Sequence, residues 1–269
     1  MRRLLAVVML ALLGGCSTVD DMGLAPSGGS GPGLTAKVAV KNPRFEDSDP
    51  HTWDSGAPWL YEVHGTDVSK YQRSIDWATA RDSGISFAFI KATEGGDRVD
   101  DYFAEHWSKT RAAGVPRAAY HFYYFCRTAE DQAKWFIKNV PNERTSLPPV
   151  LDMEWNPQSP SCKLRPPAAT VRSEMKKFLD IVERYYGKKP IIYTSIDFFD
   201  DNQLSTFRGY HYWLRSVAGH PTSRYGDHPF HFWQYTGTGV VPGVTGQADI
   251  NVFNGTATQW QSWLKANTR

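Results

Sequence analysis

Short apolar runs alternate with longer amphipathic segments along most of the chain, starting near residue 62. The apolar runs have the length and the β-branched and aromatic content of strands. They predict strands over residues 63–69, 87–91, 118–124, 150–154, 190–194, 210–214, 230–235 and 248–253. The segments between the first five runs predict helices over residues 75–81, 100–113, 128–139 and 167–186.

The order of these elements predicts an α/β fold. Strands that alternate with helices are typical of a parallel sheet, and about eight strands in roughly 210 residues favour a closed barrel. Beyond residue 194 the helical segments shorten, so the outer helical layer is expected to be incomplete. An open doubly wound sheet is the alternative, although no glycine-rich phosphate-binding turn follows the first predicted strand.

The strand predicted over residues 150–154 ends in two acids placed two residues apart. Side chains alternate faces along a strand, so Asp152 and Glu154 are expected on one side. Two carboxylates in one small space resist ionising together, which raises the pKa of at least one. A proton donor beside a carboxylate is what acid-catalysed sugar hydrolysis requires. The alternative is a strand end whose acids face solvent or pair with lysine or arginine.

Other predicted strands also end in polar or acidic residues. The carboxyl ends of the strands form the working face of a β/α barrel, so these side chains are expected to meet in one cleft. They are Asp67, Lys91, Glu94, His121, Tyr123, Tyr193, Trp213, Gln234, Asp249 and Asn251. For some of them a structural role is the alternative: a loop brace for Asp249, core aromatics for Tyr193 and Trp213, and a hydrogen-bonded core histidine for His121, which is the favoured interpretation.

The first 16 residues have the features of an export signal. Two arginines precede an apolar run over residues 4–13, which is too short to span a bilayer as a permanent helix. The residues up to Cys16 resemble a bacterial lipobox, which predicts a signal peptide over residues 1–15 and a lipid on Cys16. Ser17 favours transfer to the outer membrane. An ordinary cleaved signal with an incidental cysteine is the alternative.

Residues 16–60 are predicted to form a flexible linker ahead of a barrel domain over residues 61–269. This segment is rich in glycine, serine and proline, and residues 23–33 nearly lack large apolar side chains. Residues 37–59 contain a few apolar side chains that allow partial packing on the domain, so the start of the domain is left open there.

Two cysteines, Cys126 and Cys162, are left once Cys16 is set aside. An even number in an exported protein favours a disulfide. Each follows a predicted strand by a few residues, so a disulfide between the two loops is expected if those strands are neighbours. Two unpaired thiols are the alternative.

Composition narrows the class of ligand. Ten tryptophans and thirteen tyrosines exceed the needs of a core and suit stacking on the rings of a polymer, whether sugars or bases. The net charge of +2, spread along the chain, argues against nucleic acid. No cofactor is predicted, and no metal site, because the acids come from separate strands without the spacing of a ligand loop.

A set of short motifs extends from about residue 63 to residue 255. They are GTDVSKYQ at 65–72, IDW at 75–77, FAFIKATEG at 87–95, AYHF at 119–122, PVLDME at 149–154, PIIYT at 190–194, FWQY at 232–235 and GQADINVF at 246–253. In this order they resemble the Chalaropsis-type lysozymes of glycoside hydrolase family 25. The resemblance implies a flattened, irregular TIM-like barrel of five β/α units and three further strands, (β/α)5(β)3. It also implies hydrolysis of the β-1,4 bond between N-acetylmuramic acid and N-acetylglucosamine in peptidoglycan.

The same resemblance implies roles for individual residues. Glu154 matches the general acid/base and Asp152 its partner, with Asp67 and Asp249 as the other acids of the site. Substrate contacts are expected for five further residues, of which the first three match family positions and the last two are placed by their strands: Tyr120, Tyr193, Gln234, Lys91 and Trp213. The course of the reaction stays open between attack by the substrate's own acetamido group, direct attack by Asp152, and inversion through a water held by Asp67.

Two loops depart from the family's pattern. They are residues 122–126, at the end of the third predicted strand, and the lengthened loop that carries Cys162. These departures leave open how the cleft is shaped there and which peptide side chains it accepts.

The expected partners are the glycan strands of peptidoglycan and, through the N-terminal lipid, a membrane of a Gram-negative cell envelope. No nucleic acid is expected. Two other functions remain as alternatives: a peptidoglycan-binding module that does not hydrolyse its ligand, and a hydrolase of another amino-sugar polymer such as chitin.

Overall fold

A computed structural model of the protein describes residues 39–268. Cys16, the predicted signal peptide and the first part of the predicted linker lie outside the described residues. Within them, ten strands form one sheet: β1 (Glu46–Asp47), β2 (His64–Val68), β3 (Ile85–Glu94), β4 (Arg98–Val99), β5 (Arg117–Phe122), β6 (Val150–Met153), β7 (Ile191–Thr194), β8 (His211–Arg215), β9 (Phe232–Val240) and β10 (Ala248–Phe253).

Eight of these strands close into a barrel in the order β2, β3, β5, β6, β7, β8, β9 and β10. Neighbours from β2 round to β9 pair in parallel. β10 runs antiparallel to both of its neighbours and so completes the ring. The predicted closed barrel is therefore confirmed. Because β10 is reversed, its beginning reaches the face where the parallel strands end.

Within residues 39–268, seven α-helices accompany the barrel: α1 (Trp77–Asp82), α2 (Phe103–Ala112), α3 (Ala129–Asn139), α4 (Ala168–Tyr186), α5 (Ile196–Asp201), α6 (Pro221–Tyr225) and α7 (Ala257–Asn267). The four predicted helices correspond to α1 to α4. Gly187 ends α4 in a left-handed conformation with φ +66°, which glycine adopts without steric cost. Among residues 39–268, no helix is both long and apolar enough to cross a membrane.

Helix α7 was not predicted, although its sequence contains a start signal. Thr256 and Gln259 form a capping box at its N-terminus. Its buried Trp260 packs on Phe87 inside the barrel, with ring centroids 5.4 Å apart. The helix thus contributes a side chain to the barrel interior, and this packing stabilises a short segment that is rich in polar residues.

The core has two parts, separated by the barrel wall. Along β3, Phe87 and Phe89 belong to the cluster inside the barrel, whereas Ala88 and Ile90 pack in the cluster beneath the helices. This alternation explains why β3 is apolar throughout, since a strand covered on both sides buries both of its faces.

Strand β9 is longer than predicted because glycines continue it. Residues 236–239 read Thr-Gly-Thr-Gly, a composition more typical of a loop. At Gly239, however, a side chain would meet Ile250 of β10, with an added Cβ only 2.2 Å from Cδ1. The glycine therefore permits close approach of two paired strands.

Part of the predicted linker packs on the barrel. β1 pairs with β9, and Trp53 packs edge-to-face on the buried Trp233 at 5.2 Å between ring centroids. Lys41 forms an ion pair with Asp82 at 2.6 Å. The packed region accordingly begins within residues 39–59, the segment whose boundary the sequence left open.

We expect Gly65→Ala to lower the free energy of unfolding by about 1–3 kcal/mol. An added Cβ at Gly65 would lie 2.4 Å from Cε2 of Phe87, inside the barrel core. Urea denaturation measures the change. Gly96→Ala is the matched control, because its nearest neighbour would be Arg127 Cγ at 3.7 Å. Equal midpoints for the two variants would show that the Phe87 ring moves aside at little cost.

Candidate active site

Four carboxylates lie at the face where the parallel strands end. Asp67 lies in β2 and Asp152 in β6, and Asp249 lies opposite Asp67 in the pairing of β10 with β2. Glu154 is the first residue after β6, which ends at Met153. The predicted strand was thus one residue too long, but all four acids reach the same face.

Two side-chain amides hold the buried Asp67. Its Oδ1 accepts hydrogen bonds from Gln234 Nε2 at 2.9 Å and from Asn251 Nδ2 at 2.8 Å. Both amides are oriented in turn: Gln234 Oε1 accepts from the Tyr193 hydroxyl at 2.9 Å, and Asn251 Oδ1 accepts from Trp213 Nε1 at 2.7 Å. The carboxylate is therefore fixed in position by two chains of hydrogen bonds from β7, β8, β9 and β10.

Burial raises the pKa of Asp67 well above its ordinary value, and the charge of Asp249 adds to the rise. The two amides act in the opposite direction because they donate to the ionised form. Burial also raises the pKa of Asp249, to about 6, against the effect of the positive charge of Arg215. Both carboxyl groups therefore lose their protons at higher pH than exposed aspartates do.

Asp152 is 6% exposed, and its Oδ1 has no hydrogen-bond partner among the described residues. Burial is the main reason why its pKa is raised well above the ordinary value, followed by the charge of Glu154. Lys91 opposes this rise. A buried carboxylate oxygen that receives no hydrogen bond disfavours the charged form, in agreement with the raised pKa.

Glu154 combines burial with a mixed electrostatic environment. Burial raises its pKa to about 7, and the negative charges of Asp197 and Asp249 act in the same direction. The positive charges of Arg215 and Lys91 oppose them. A carboxylic acid whose pKa lies near neutrality can both deliver and recover a proton near pH 7.

The predicted substrate-contacting residues differ in their exposure. Trp213 is 2% exposed and donates to Asn251, which favours a supporting role beneath the acids. Lys91 Nζ forms an ion pair with Glu94 Oε2 at 2.6 Å and lies 4.9 Å from the ring centroid of Phe122. Tyr120 lies opposite Lys91 in the pairing of β5 with β3 and is 9% exposed. Burial raises its pKa well above the ordinary value, so its hydroxyl stays protonated.

His121 is a core residue, as the favoured interpretation held. It is fully buried, with Thr93 Oγ1 2.7 Å from Nδ1 and Gln132 Oε1 3.1 Å from Nε2. The same Gln132 oxygen accepts from the backbone N–H of Tyr124. Burial lowers the pKa of His121 to about 3, so the ring stays neutral.

The two loops that depart from the expected pattern are joined covalently. A disulfide links Cys126, which follows β5, to Cys162, which follows β6, with 5.8 Å between their Cα atoms. β5 and β6 are neighbours in the barrel, which was the condition for this pairing.

Comparison with known proteins decides the family. The sequence model described as "Glycosyl hydrolases family 25" matches residues 66–244. The chain belongs to glycosyl hydrolase family 25. This family 25 chain is 34% identical over 208 residues to Lysozyme M1 of Streptomyces globisporus, covering 72% of this chain and 69% of that protein.

Other family 25 comparisons agree. The chain is 38% identical over 215 residues to the protein YegX of Escherichia coli strain K12, covering 77% and 75% of the two chains. A solved family 25 glycosyl hydrolase from Bacillus anthracis superposes with a TM-score of 0.69 at 32% identity, over 80% of this chain and 98% of that one. The match covers the barrel, so the fold implied by the sequence resemblance is confirmed.

Two residues of this family 25 site were not assigned a role from the sequence. Arg215 is the last residue of β8, one position beyond the predicted strand, and its charge acts on both Glu154 and Asp249. Asn251 was placed in the cleft but given no role, and it holds Asp67. Reading each strand one residue further would have found Arg215.

Proposed function

We propose that this muramidase cleaves the β-1,4 bond between N-acetylmuramic acid and N-acetylglucosamine with Glu154 as the proton donor. The observation that supports this role most directly is the position of Glu154 at the strand-end face beside Asp152, with a pKa raised to about 7 by burial. A protonated Glu154 delivers its proton to the glycosidic oxygen as the bond breaks and positive charge develops on the sugar ring.

Asp152 and Asp67 stabilise the developing charge in this scheme. Asp152 keeps 6% of its surface exposed at the strand-end face, so its carboxylate is suited to accept a hydrogen bond from the acetamido N–H of the substrate. This contact would orient the acetamido oxygen for attack on the anomeric carbon, as in the substrate-assisted glycosidases. Asp67, fixed by its two amides, is the less adaptable of the two acids and supports the charge from a set position.

The pH profile of hydrolysis should reflect the protonation of Glu154. We expect kcat/KM to fall as the pH rises through about 7, because the ionised form has no proton to deliver. The positive charge of Arg215 favours the ionised form of Glu154, so Arg215→Gln should raise this pKa and move the alkaline limb to higher pH. Initial rates on soluble glycan chains from pH 4 to 9 measure the position of the alkaline limb for the wild type and for Arg215→Gln. An alkaline limb that Arg215→Gln leaves in place would argue against Glu154 as the group that titrates.

The bond cleaved is tested by the chemistry of the products. Peptidoglycan is digested, the new reducing ends are converted with borohydride, and the fragments are identified by mass spectrometry. Muramitol at these ends supports the proposal, and glucosaminitol would contradict it. Chitin offered in parallel tests the other amino-sugar polymer.

The enzyme is further proposed to be exported and held on a membrane, in the outer membrane of a Gram-negative envelope, through a lipid on Cys16. The lipobox-like sequence at residues 13–16 supports this proposal. Cys16→Ser in the full chain should shift the protein from the membrane fraction to the soluble fraction. An unchanged distribution would contradict the lipid anchor.

A further inference from the structure

The loop between β6 and α4 borders the proposed proton donor. Glu154 lines a narrow crevice together with Lys163, Leu164 and Arg165, which come from the far part of this loop. The loop therefore forms one wall of the cleft next to Glu154.

This wall is fastened to the barrel at several points. The disulfide joins Cys162 to Cys126. Trp155 Nε1 donates to Asp201 Oδ2 at 2.7 Å, and Asn156 Nδ2 donates to the Tyr124 hydroxyl at 3.0 Å. A loop held by a covalent link and two side-chain hydrogen bonds presents its outer side chains in a limited set of positions, which reduces the entropy that a ligand must remove on binding.

The outer side chains of the wall are two cations with an apolar residue between them. Lys163 is exposed and, within residues 39–268, forms no ion pair. Leu164 is 54% exposed. The Arg165 guanidinium lies 4.9 Å from the ring centroid of Trp155, and its Nη1 is 4.0 Å from Asp201 Oδ2. The arrangement adds positive charge at one side of a cleft that contains four carboxylates and the cations Lys91 and Arg215.

We propose that this loop, residues 155–166, determines specificity by binding a carboxylate of the stem peptide on the muramic acid residue, with Lys163 as its principal contact. The inference rests on the proposed function, because it concerns the substrate of the same cleft. Stem peptides are anionic through their free carboxylates, and those acids of the cleft that are ionised repel them. A cationic wall on one side attracts the peptide to that side and so orients the glycan in the cleft. Leu164 offers apolar contact to the methyl groups of alanine residues in the stem.

The test compares two substrates that differ only in the stem peptide. One is soluble, un-cross-linked peptidoglycan, and the other is the same material from which an amidase has removed the stems. We expect Lys163→Ala to lower the ratio of kcat/KM on the intact substrate to that on the stripped substrate by about two- to fivefold, mainly through KM. Lys163→Glu should lower the ratio further, and Lys163→Arg should restore most of it.

Lys134→Ala is the matched control, since Lys134 is an exposed lysine on α3 away from the crevice. Its ratio should equal that of the wild type. One outcome is that the wild type cleaves both substrates to muramitol ends while the Lys163 variants keep the wild-type ratio. In that case the loop does not bind the stem peptide and the inference is overturned, while the proposed function stands. If the wild type cleaves neither substrate, both are overturned.

Discussion

Glu154→Gln is expected to reduce hydrolysis of peptidoglycan by about a hundredfold or more, while the variant still binds its substrate. Glutamine keeps the shape of the side chain but carries no transferable proton. Because burial already favours the neutral form of Glu154, replacement by a neutral group should leave the fold undisturbed. Loss of turbidity of a peptidoglycan suspension measures hydrolysis, and co-sedimentation with the same material measures binding.

Glu183→Gln serves as the control, because Glu183 lies on α4 outside the site. It should clear the suspension at the wild-type rate. Equal clearing by the Glu154 variant and the wild type would remove Glu154 from its assigned role. Binding without clearing by the wild type itself would favour a peptidoglycan-binding module instead of an enzyme.

The barrel was predictable because its strands are buried on both faces. Such strands appear in the sequence as short continuous apolar runs, and β3 is the clearest case, with Phe87 and Phe89 inside and Ala88 and Ile90 outside. The lengths of elements were harder to predict. β9 continues through glycines that read as a loop, and its strand state depends on the pairing of Gly239 with Ala248 in β10.

The acids of the site were predictable because strand ends converge in a closed barrel. Asp67 and Asp249 are far apart in sequence, yet the antiparallel pairing of β10 with β2 sets them opposite each other. The hydrogen bonds that orient these acids were not predictable. The support of Asp67 by Gln234 and Asn251 depends on which residues of three strands are aligned, and that register is a long-range property.

Asp152→Asn is expected to lower kcat by about a hundredfold and at the same time to stabilise the fold at neutral pH. The loss of activity follows from the proposed contact with the acetamido group and the charge on the sugar ring, since an amide supplies no negative charge. Asparagine has nearly the same volume as aspartate, so the packing around a residue that is 6% exposed is retained.

The gain in stability follows from the raised pKa of Asp152. An acid whose pKa is higher in the folded state than in the unfolded state, where it is about 4, ionises first in the unfolded chain. The free energy of unfolding therefore falls as the pH rises above about 4, and it stays lowered above the pKa of the folded state. Asparagine removes this loss, so the variant should be more stable than the wild type at pH 8, and the difference should largely disappear at pH 4.

Urea denaturation at the two pH values measures this difference. Asp227→Asn is the control, because the Asp227 side chain is 99% exposed and its replacement should change the midpoint little at either pH. A variant that loses activity without gaining stability at pH 8 would mean that Asp152 finds a compensating partner when ionised. Opposite effects on activity and stability would identify Asp152 as a residue that is kept at a cost to the fold because the reaction requires its charge.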